Sequence, residues 1–327
     1  MALKCFPAFR GGGGSSMGYK LAGYNVLGCC EIDEKMLECY RTNLNPKISY
    51  LMPIQDIVFD TDKHKEIGDI DILDGSPPCS VFSLSGNREQ DWGKVRAFAE
   101  GQAVQILDDL FFHFISLADK LRPRVVIAEN VKGLILGNAK GYVKKIFTAF
   151  KEIGYTTQLF LLNASQMGVP QRRERVFFIA RRDKIPPISL SFSETEIPIS
   201  MIIGGVDILN RRKFRPIIKQ YWKLCAPGKL LSSVHPKKHL FNWCKLSPNK
   251  PAPTLLARGA AAGQYLHWSE QRTISYAELA RIQSFPDDYN YCKQNPGYVI
   301  GMSVPPIMMH RLSARVADWL LNSNARL

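Results

Sequence analysis

Up to Arg182 the chain alternates short β-rich apolar runs with amphipathic helical ones, and few folds can accommodate that alternation. Residues 24–30, 70–73, 125–128 and 176–180 carry the strand signature, and helices are expected over 34–44, 98–120 and 142–153. In the second helix apolar residues recur at 103, 106, 107, 110, 111, 114 and 117, the spacing of one helix face. Parallel strands cannot be joined by a tight turn and need a crossover, so this repetition predicts a mainly parallel sheet covered by helices, an α/β fold. After Arg182 the alternation stops. Residues 185–268 are rich in Pro, Gly, Ser and Lys without a sustained period, which predicts a domain boundary near 183 and a smaller, irregular second domain over 184–296. Helical signals return at 275–283, opened by a Ser275/Glu278 capping box, and again from Pro305-Pro306. There apolar residues fall at 308, 312, 316, 319 and 320, so 297–327 is expected to complete the first domain, 1–183.

Charge locates a partner. The formal net charge is +14, and 211–258 holds twelve Lys/Arg and no Asp or Glu. Phe214, Tyr221, Trp222, Phe241 and Trp243 interleave with those cations. Such a stretch reads as a surface for a nucleic-acid polyanion, with Arg211, Arg212, Lys237, Lys238 and Arg258 among its phosphate contacts; the alternative is a solvated basic face. With 46% hydrophobic and 22% charged residues a packed core is expected, not disorder. No run approaches ~18 uninterrupted apolar residues and the first ten lack a signal peptide's apolar stretch, so a cytoplasmic protein without a membrane span is expected. Eight cysteines without a C-x-x-C pair suit reduced thiols better than zinc.

Chemistry-bearing residues sit where the expected strands end. The run Gly11-Gly-Gly-Gly-Ser-Ser-Met-Gly18 separates a short strand from a helix, and Glu31 follows 20 residues after Gly11, placed to accept ribose hydroxyls. Neither register of G-x-G-x-x-G is complete, which favours a single-nucleoside cofactor over a pyrophosphate one; the alternative is a surface turn. Asp56-Ile57 could read an adenine amino group. Ser76-Pro-Pro-Cys79-Ser80 follows the run at 70–73, where two prolines stiffen the chain before a thiol suited to nucleophilic attack, against the alternative of a buried inert cysteine. Glu129-Asn130-Val131 ends the strand at 125–128, where a carboxyl could serve a ring nitrogen or cap a helix. In Gln171-Arg-Arg-Glu-Arg175, alternation turns Gln171, Arg173 and Arg175 to one side as fork-shaped donors for a base carbonyl or a phosphate.

The order and spacing of these pieces resemble the C5-cytosine DNA methyltransferase family along nearly the whole chain. Phe9-Arg-Gly-Gly-Gly-Gly14 with Gly18 resembles its F-x-G-x-G-G-x-x-x-G loop, Pro77-Pro78-Cys79 its Pro-Cys motif, Glu129-Asn130-Val131 its Glu-Asn-Val, and Gln171 to Arg175 its Gln-x-Arg-x-Arg. Arg281-Ile-Gln-Ser-Phe-Pro286 and Gly301-Met-Ser-Val304 correspond to the last two blocks, and Pro251-Ala-Pro-Thr-Leu255 to a strand entry of the recognition region. The resemblance implies a Rossmann-like domain binding S-adenosylmethionine through Phe9, Gly11, Gly13, Gly14, Glu31, Ile32, Asp56, Ile57, Pro78, Leu110 and Ser303. It further implies catalysis by Cys79, Glu129, Arg173 and Arg175, and contacts of Ser80 and Gln171 with duplex DNA. The thiolate of Cys79 would attack C6 of a flipped cytosine while Glu129 serves N3. A monomer is expected, with a cognate restriction endonuclease as a possible companion. Two positions depart from the pattern: Pro7 replaces a polar residue and Met302 an asparagine, both bearing on cofactor affinity. Other readings are a tRNA cytosine-C5 methyltransferase, whose Cys-Phe-Thr signature is missing, a silent DNA-binding homologue, opposed by Cys79 and Glu129, and a dinucleotide oxidoreductase, opposed by the incomplete glycine motif.

Overall fold

The computed structural model describes residues 2–9, 11–78, 109–136, 140–182, 186–204 and 214–324. Contacts divide the chain into two compact units, one of Met1–Leu162, Glu174–Ser191 and Met309–Leu327, the other of Asn163–Arg173 and Phe192–Met308. The first unit runs past the boundary expected near 183 to Ser191 and resumes at Met309, where 297 was expected, and Asn163–Arg173 groups with the second unit. Two pairings inside the second unit account for this: residues 171–172 pair with 252–253, and the helix opening at Pro296 packs on 257–261.

The first unit is a wound sheet. Its elements are β1 (Lys4–Ala8), α1 (Gly14–Leu21), β2 (Asn25–Val26), β3 (Gly28–Glu31), α2 (Glu34–Leu44), β4 (Ile48–Leu51), α3 (Ile54–Phe59), α4 (Thr61–Ile67), β5 (Ile72–Gly75), α5 (Leu110–Leu121), β6 (Val125–Val131), α6 (Lys140–Glu152) and β7 (Thr156–Asn163). After β8 (Gln171–Arg172), which pairs in the second unit, β9 (Glu174–Arg181) completes the sheet in the order β4-β3-β1-β5-β6-β9-β7, with β2 also on β1. The pairs β1/β3, β1/β5, β3/β4 and β5/β6 are parallel, and β6/β9 is antiparallel. Sheet and helices together are the expected α/β architecture.

Both faces of the central strands are buried. Phe6, Leu73, Val126 and Phe178 point into one core with Ile57, Phe111, Phe114, Ile146 and Phe150 of α3, α5 and α6. Strand neighbours such as Cys5, Ile72, Ile127 and Phe177 are equally buried. That double burial makes β5, β6 and β9 read as continuous apolar runs. Phe114 packs so closely on Gly75 that a Cβ there would stand 2.5 Å from its ring, and truncating a fully buried Phe costs about 3–5 kcal/mol. Helix α2 starts and stops where expected, because Asp33 caps it by accepting from Lys35 N and Met36 N. The described part of the helix expected over 98–120 is α5. The run at 24–30 breaks at Leu27 into β2 and β3.

In the second unit the elements are short: α7 (Pro216–Leu224), β10 (Lys229–Leu230), β11 (Cys244–Lys245), β12 (Ala252–Pro253), α8 (Ala257–Ala261), β13 (Tyr265–Leu266), α9 (Tyr276–Ile282) and α10 (Pro296–Met302). The helix α11 (Pro306–Asn324) begins here and groups with the first unit from Met309 onward. Ile218, Trp222, Cys225, Leu231 and Leu266 form a small core, with Phe214, Tyr221, Leu240 and Trp243 packed against it. The aromatic residues read as interleaved with a basic surface are therefore mostly core, and Phe241, 67% exposed, is the exception among those five. The expected capping box is present, with Ser275 Oγ accepting from Glu278 N and the Glu278 carboxylate from Ser275 N.

Candidate active site

In the first unit, polar groups gather at the carboxyl ends of neighbouring strands, where open α/β sheets hold their ligands. After β1 the chain turns through left-handed backbone at Phe9 (φ 57°), Gly11 (φ 45°) and Gly13 (φ 75°). Gly13 opens α1, and a Cβ on it would lie 2.6 Å from Leu44 Cδ1, so the position accepts only glycine. Gly11 N donates to Glu31 Oε2 at 2.9 Å, while Glu31 Oε1 accepts from Ile32 N at 2.9 Å and Asp33 N at 3.1 Å. One carboxylate thus ties the glycine loop to the end of β3. Burial pushes the Glu31 carboxyl above its ordinary pKa, against the opposing pull of those three backbone donors. No side chain among the described residues caps the first turn of α1. Asp56 is exposed in the first turn of α3, whereas Ile57 and Leu110 are almost wholly buried in the core. Ile32 and Pro78 are half-buried.

A second constellation follows β5 and β6. Asn130 Nδ2 donates to Pro77 O at 3.1 Å, and its Oδ1 accepts from Val131 N at 2.9 Å, so the turn after β5 is pinned to the end of β6. Cys79 and Ser80 lie outside the described residues. Glu129, the residue before Asn130, pairs through Oε1 with Arg175 Nε of β9 at 2.9 Å, both side chains being nearly buried. Arg175 Nη1 also donates to Glu174 O at 2.8 Å. Burial lowers the pKa of Arg175 from its usual value and Glu129 opposes that shift; the guanidinium stays a cation. The antiparallel register that sets Val131 opposite Arg175 produces this pair. Glu174 faces out to Lys132 at 2.9 Å. Asn130 was legible in the sequence only as the middle of Glu-Asn-Val; its grip on Pro77 is the further role.

Two motif residues expected to face substrate do not. Gln171 is fully buried in the second unit, its Nε2 donating to Gln283 Oε1 and its Oε1 accepting from Leu255 N at 3.0 Å. Arg173 is 2% exposed and donates from Nη1 to Leu255 O and from Nη2 to Gly301 O, each at 3.1 Å. Their alternation is as expected, with Arg172 exposed between them, but the shared side is the interior of the unit. Ser303 is buried as well, its Oγ donating to Val299 O at 2.8 Å and its carbonyl accepting from Gln283 Nε2 at 2.6 Å. Met302 is 37% exposed.

The basic stretch is mostly surface. Arg215, Lys219, Lys223, Lys229, Lys237, Lys238, Lys250 and Arg258 are exposed, while Arg211 and Arg212 lie outside the described residues. Among the described members Lys245 is the buried one: its ammonium sits 4.0 Å from the centre of the Trp222 ring and donates to Trp222 O and Cys225 O at 3.1 and 2.9 Å. Burial lowers its pKa. Among the described residues no three His, Cys, Asp or Glu side chains are grouped to hold a metal ion, and no helix is long and apolar enough to cross a membrane.

Known proteins are similar to this chain over nearly its whole length. The type II methyltransferase M.DdeI of Desulfomicrobium norvegicum is 27% identical, the match covering 98% of this chain and 90% of that one. M.FnuDI of Fusobacterium nucleatum is 26% identical over 97% and 95% of the two chains. A protein encoded within an E. coli prophage and described as a DNA modification methyltransferase superposes with a TM-score of 0.75 at 21% identity, over 98% of this chain and 100% of that one. The S. pombe Dnmt2 methyltransferase superposes with a TM-score of 0.67 at 15% identity, over 98% and 99%, and both structures share the fold. The family described as C-5 cytosine-specific DNA methylase is matched over residues 3–201 and 210–317. The strand-end motifs and these matches agree, and the chain belongs to the C-5 cytosine-specific DNA methylase family.

Proposed function

We propose that the protein transfers a methyl group from S-adenosylmethionine to C5 of a cytosine flipped out of duplex DNA, through a transient bond between Cys79 Sγ and C6. The observation that carries this reading is the nearly buried Glu129–Arg175 pair, joined through Asn130 to the turn that leads into Cys79. Cytosine C5 is a poor nucleophile because it belongs to an aromatic ring. Addition of the Cys79 thiolate to C6, with Glu129 delivering the proton that N3 gains, leaves C4–C5 as an enamine that can take a methyl group. Loss of the C5 proton to a water molecule, departure of Cys79 as thiolate and return of the N3 proton to Glu129 then restore the aromatic ring. An ordinary thiol near pKa ~8.5 is only a few per cent thiolate at neutral pH, so attack is coupled to the events at N3. Arg175 holds Glu129 in place and presents its cation to the cytosine carbonyl oxygen. The target base leaves the stack to expose C6.

The residues present fit the cofactor. Left-handed Gly11 and Gly13 keep side chains out of the loop, the first turn of α1 offers amides without a side-chain cap, and Glu31 presents a carboxylate beside them. Bound there, S-adenosylmethionine supplies an electrophilic methyl on a positively charged sulfur. Gly11, Gly13 and Gly14 let its amino-acid end approach, Glu31 and Ile32 take the ribose, and Asp56 and Pro78 complete the contacts. Arg173, Gln171 and Ser303 act as positioning residues within the second unit. That unit, whose basic stretch carries eight exposed cations among the described residues, holds the DNA phosphates. The enzyme works as a cytoplasmic monomer, and its methylation protects host DNA from a cognate endonuclease.

Incubation with tritiated S-adenosylmethionine and either duplex DNA or tRNA, followed by sequencing of modified cytosines, tests the reading. Label at C5 of cytosines in one duplex sequence context is expected. Label confined to tRNA would replace the DNA reading with the RNA one, and no label on either would remove the methyl-transfer reading.

A further inference from the structure

The second unit carries a rigid, ring-bearing turn that methyl transfer does not use. The Tyr221 ring of α7 lies 4.5 Å from that of His235, centre to centre, and His235 stacks on His239 at 5.2 Å with their planes 17° apart. Backbone hydrogen bonds hold the turn: His235 N to Leu231 O at 3.1 Å, Lys238 N to His235 O at 2.9 Å and Trp243 N to Leu240 O at 3.0 Å. Lys237 N adds a bond to His235 Nδ1 at 3.2 Å. Lys238 (φ 54°) and Leu240 (φ 62°) adopt the left-handed backbone that such residues rarely take, held there by Leu240 and Trp243 packing on the core. This leaves Lys237, Lys238, His239 and Phe241 on the outside, Phe241 67% exposed, in a stretch with no acidic residue from 211 to 258.

We propose that residues 235–241 form a base-reading turn, with His239 and Phe241 contacting base edges in the major groove while Lys237 and Lys238 hold the flanking phosphates; the proposal rests on the duplex-DNA reading above. Charge complementarity selects DNA as the occupant, and the chemistry divides the labour. Phenylalanine gains nothing from a phosphate, but in the major groove its apolar face meets the thymine methyl. The ring nitrogens of histidine can donate to or accept from a base edge. A turn already pinned by stacking and backbone bonds loses little freedom on docking, so its contacts discriminate between bases with little lost to ordering.

The test uses the full-length enzyme on a duplex library randomised around cytosine, with sequencing of methylated positions. For Phe241→Ala and for His239→Ala, methylation at the wild-type site is expected to fall roughly tenfold or more, while sites altered by one base pair fall less, so the preference collapses. The salt dependence of binding to random-sequence DNA stays at the wild-type slope in both. Lys237→Ala and Lys238→Ala are expected to do the reverse, lowering that slope by ~0.9 per lost phosphate contact and leaving the site preference within about twofold. Site preference within about twofold of wild type in both ring variants would overturn the proposal. A wild-type enzyme that methylates no duplex cytosine would instead remove the DNA reading beneath it.

Discussion

The two units satisfy their backbones in opposite ways, and the difference decides what their motif residues do. In the wound sheet, strands of up to eight residues pair along continuous ladders. The polar side chains at strand ends, Glu31, Glu129, Asn130 and Arg175, bind the ends to one another and are the groups that the proposed reaction uses. Among the described residues the strands of the second unit are two residues long, and side chains take over the work of a ladder. Arg173 serves the carbonyls of Leu255 and Gly301, Lys245 those of Trp222 and Cys225, Gln283 that of Ser303, and Tyr265 that of Thr254. Burial of a polar side chain is thus not by itself evidence of function.

Removing a side chain that replaces a ladder should be the most damaging change. Arg173→Ala leaves two buried carbonyls without donors and opens a cavity, and should lower unfolding stability by about 3–5 kcal/mol in urea denaturation. Unchanged stability with reduced turnover would mean that Arg173 faces substrate, and the contrast between the units would fail.

Glu278 tests the same idea through pH. Burial alone would raise its pKa, but two hydrogen bonds from Arg272, at 2.7 and 2.8 Å, and those of Ser275 hold the carboxyl below its ordinary range. A depressed carboxylate stabilises the fold above its unfolded pKa, and that contribution is lost as pH falls through the folded value. Glu278→Gln should therefore cost about 3 kcal/mol at pH 7, and the gap to wild type should close below about pH 4. A gap independent of pH would show that shape, not charge, matters at this position.

In the sheet unit the expected effect is on rate. Glu129→Gln keeps a hydrogen bond but cannot deliver a proton, so single-turnover methylation should slow by roughly 10²-fold, about 2.7 kcal/mol in the barrier. A rate within a factor of about three of wild type would reduce Glu129 to a partner of Arg175. The smallest effect belongs to the half-exposed pair Lys132–Glu174. Lys132→Met should cost less than about 1 kcal/mol, and less still at high salt, whereas a larger, salt-independent loss would erase the distinction from the buried Arg272–Glu278 pair.

Legibility in the sequence follows the same division. Strands β5, β6 and β9 were readable because both faces are buried. The edge strands β4 and β7 are only half-buried and went unread, although β7 holds the apolar run Leu159-Phe160-Leu161-Leu162. The Ser275–Glu278 box is local, so spacing revealed α9. The end of β3 and the glycine loop could be paired by spacing, and Glu129 and Arg175 were both singled out, but their ion pair depends on an antiparallel register 46 residues apart along the chain. Alternation correctly set Gln171 and Arg173 on one side. Whether that side faced a ligand or the protein depended on Leu255, Gln283 and Gly301, more than 80 residues away, which no local pattern encodes. Trp222 and Trp243 read as surface aromatics for the same reason: a core this small is assembled from scattered single residues.

The central claim is that chemistry resides at the strand ends of the first unit, with Cys79 as nucleophile. Duplex DNA carrying 5-fluorocytosine at the target tests it most directly, because fluorine blocks the elimination that would release the enzyme. With S-adenosylmethionine present, the wild type should form a denaturation-resistant adduct whose mass maps to the peptide containing Cys79, and Cys79→Ala should form none while still binding DNA. An adduct on another residue, or methylation by the alanine variant, would contradict the account.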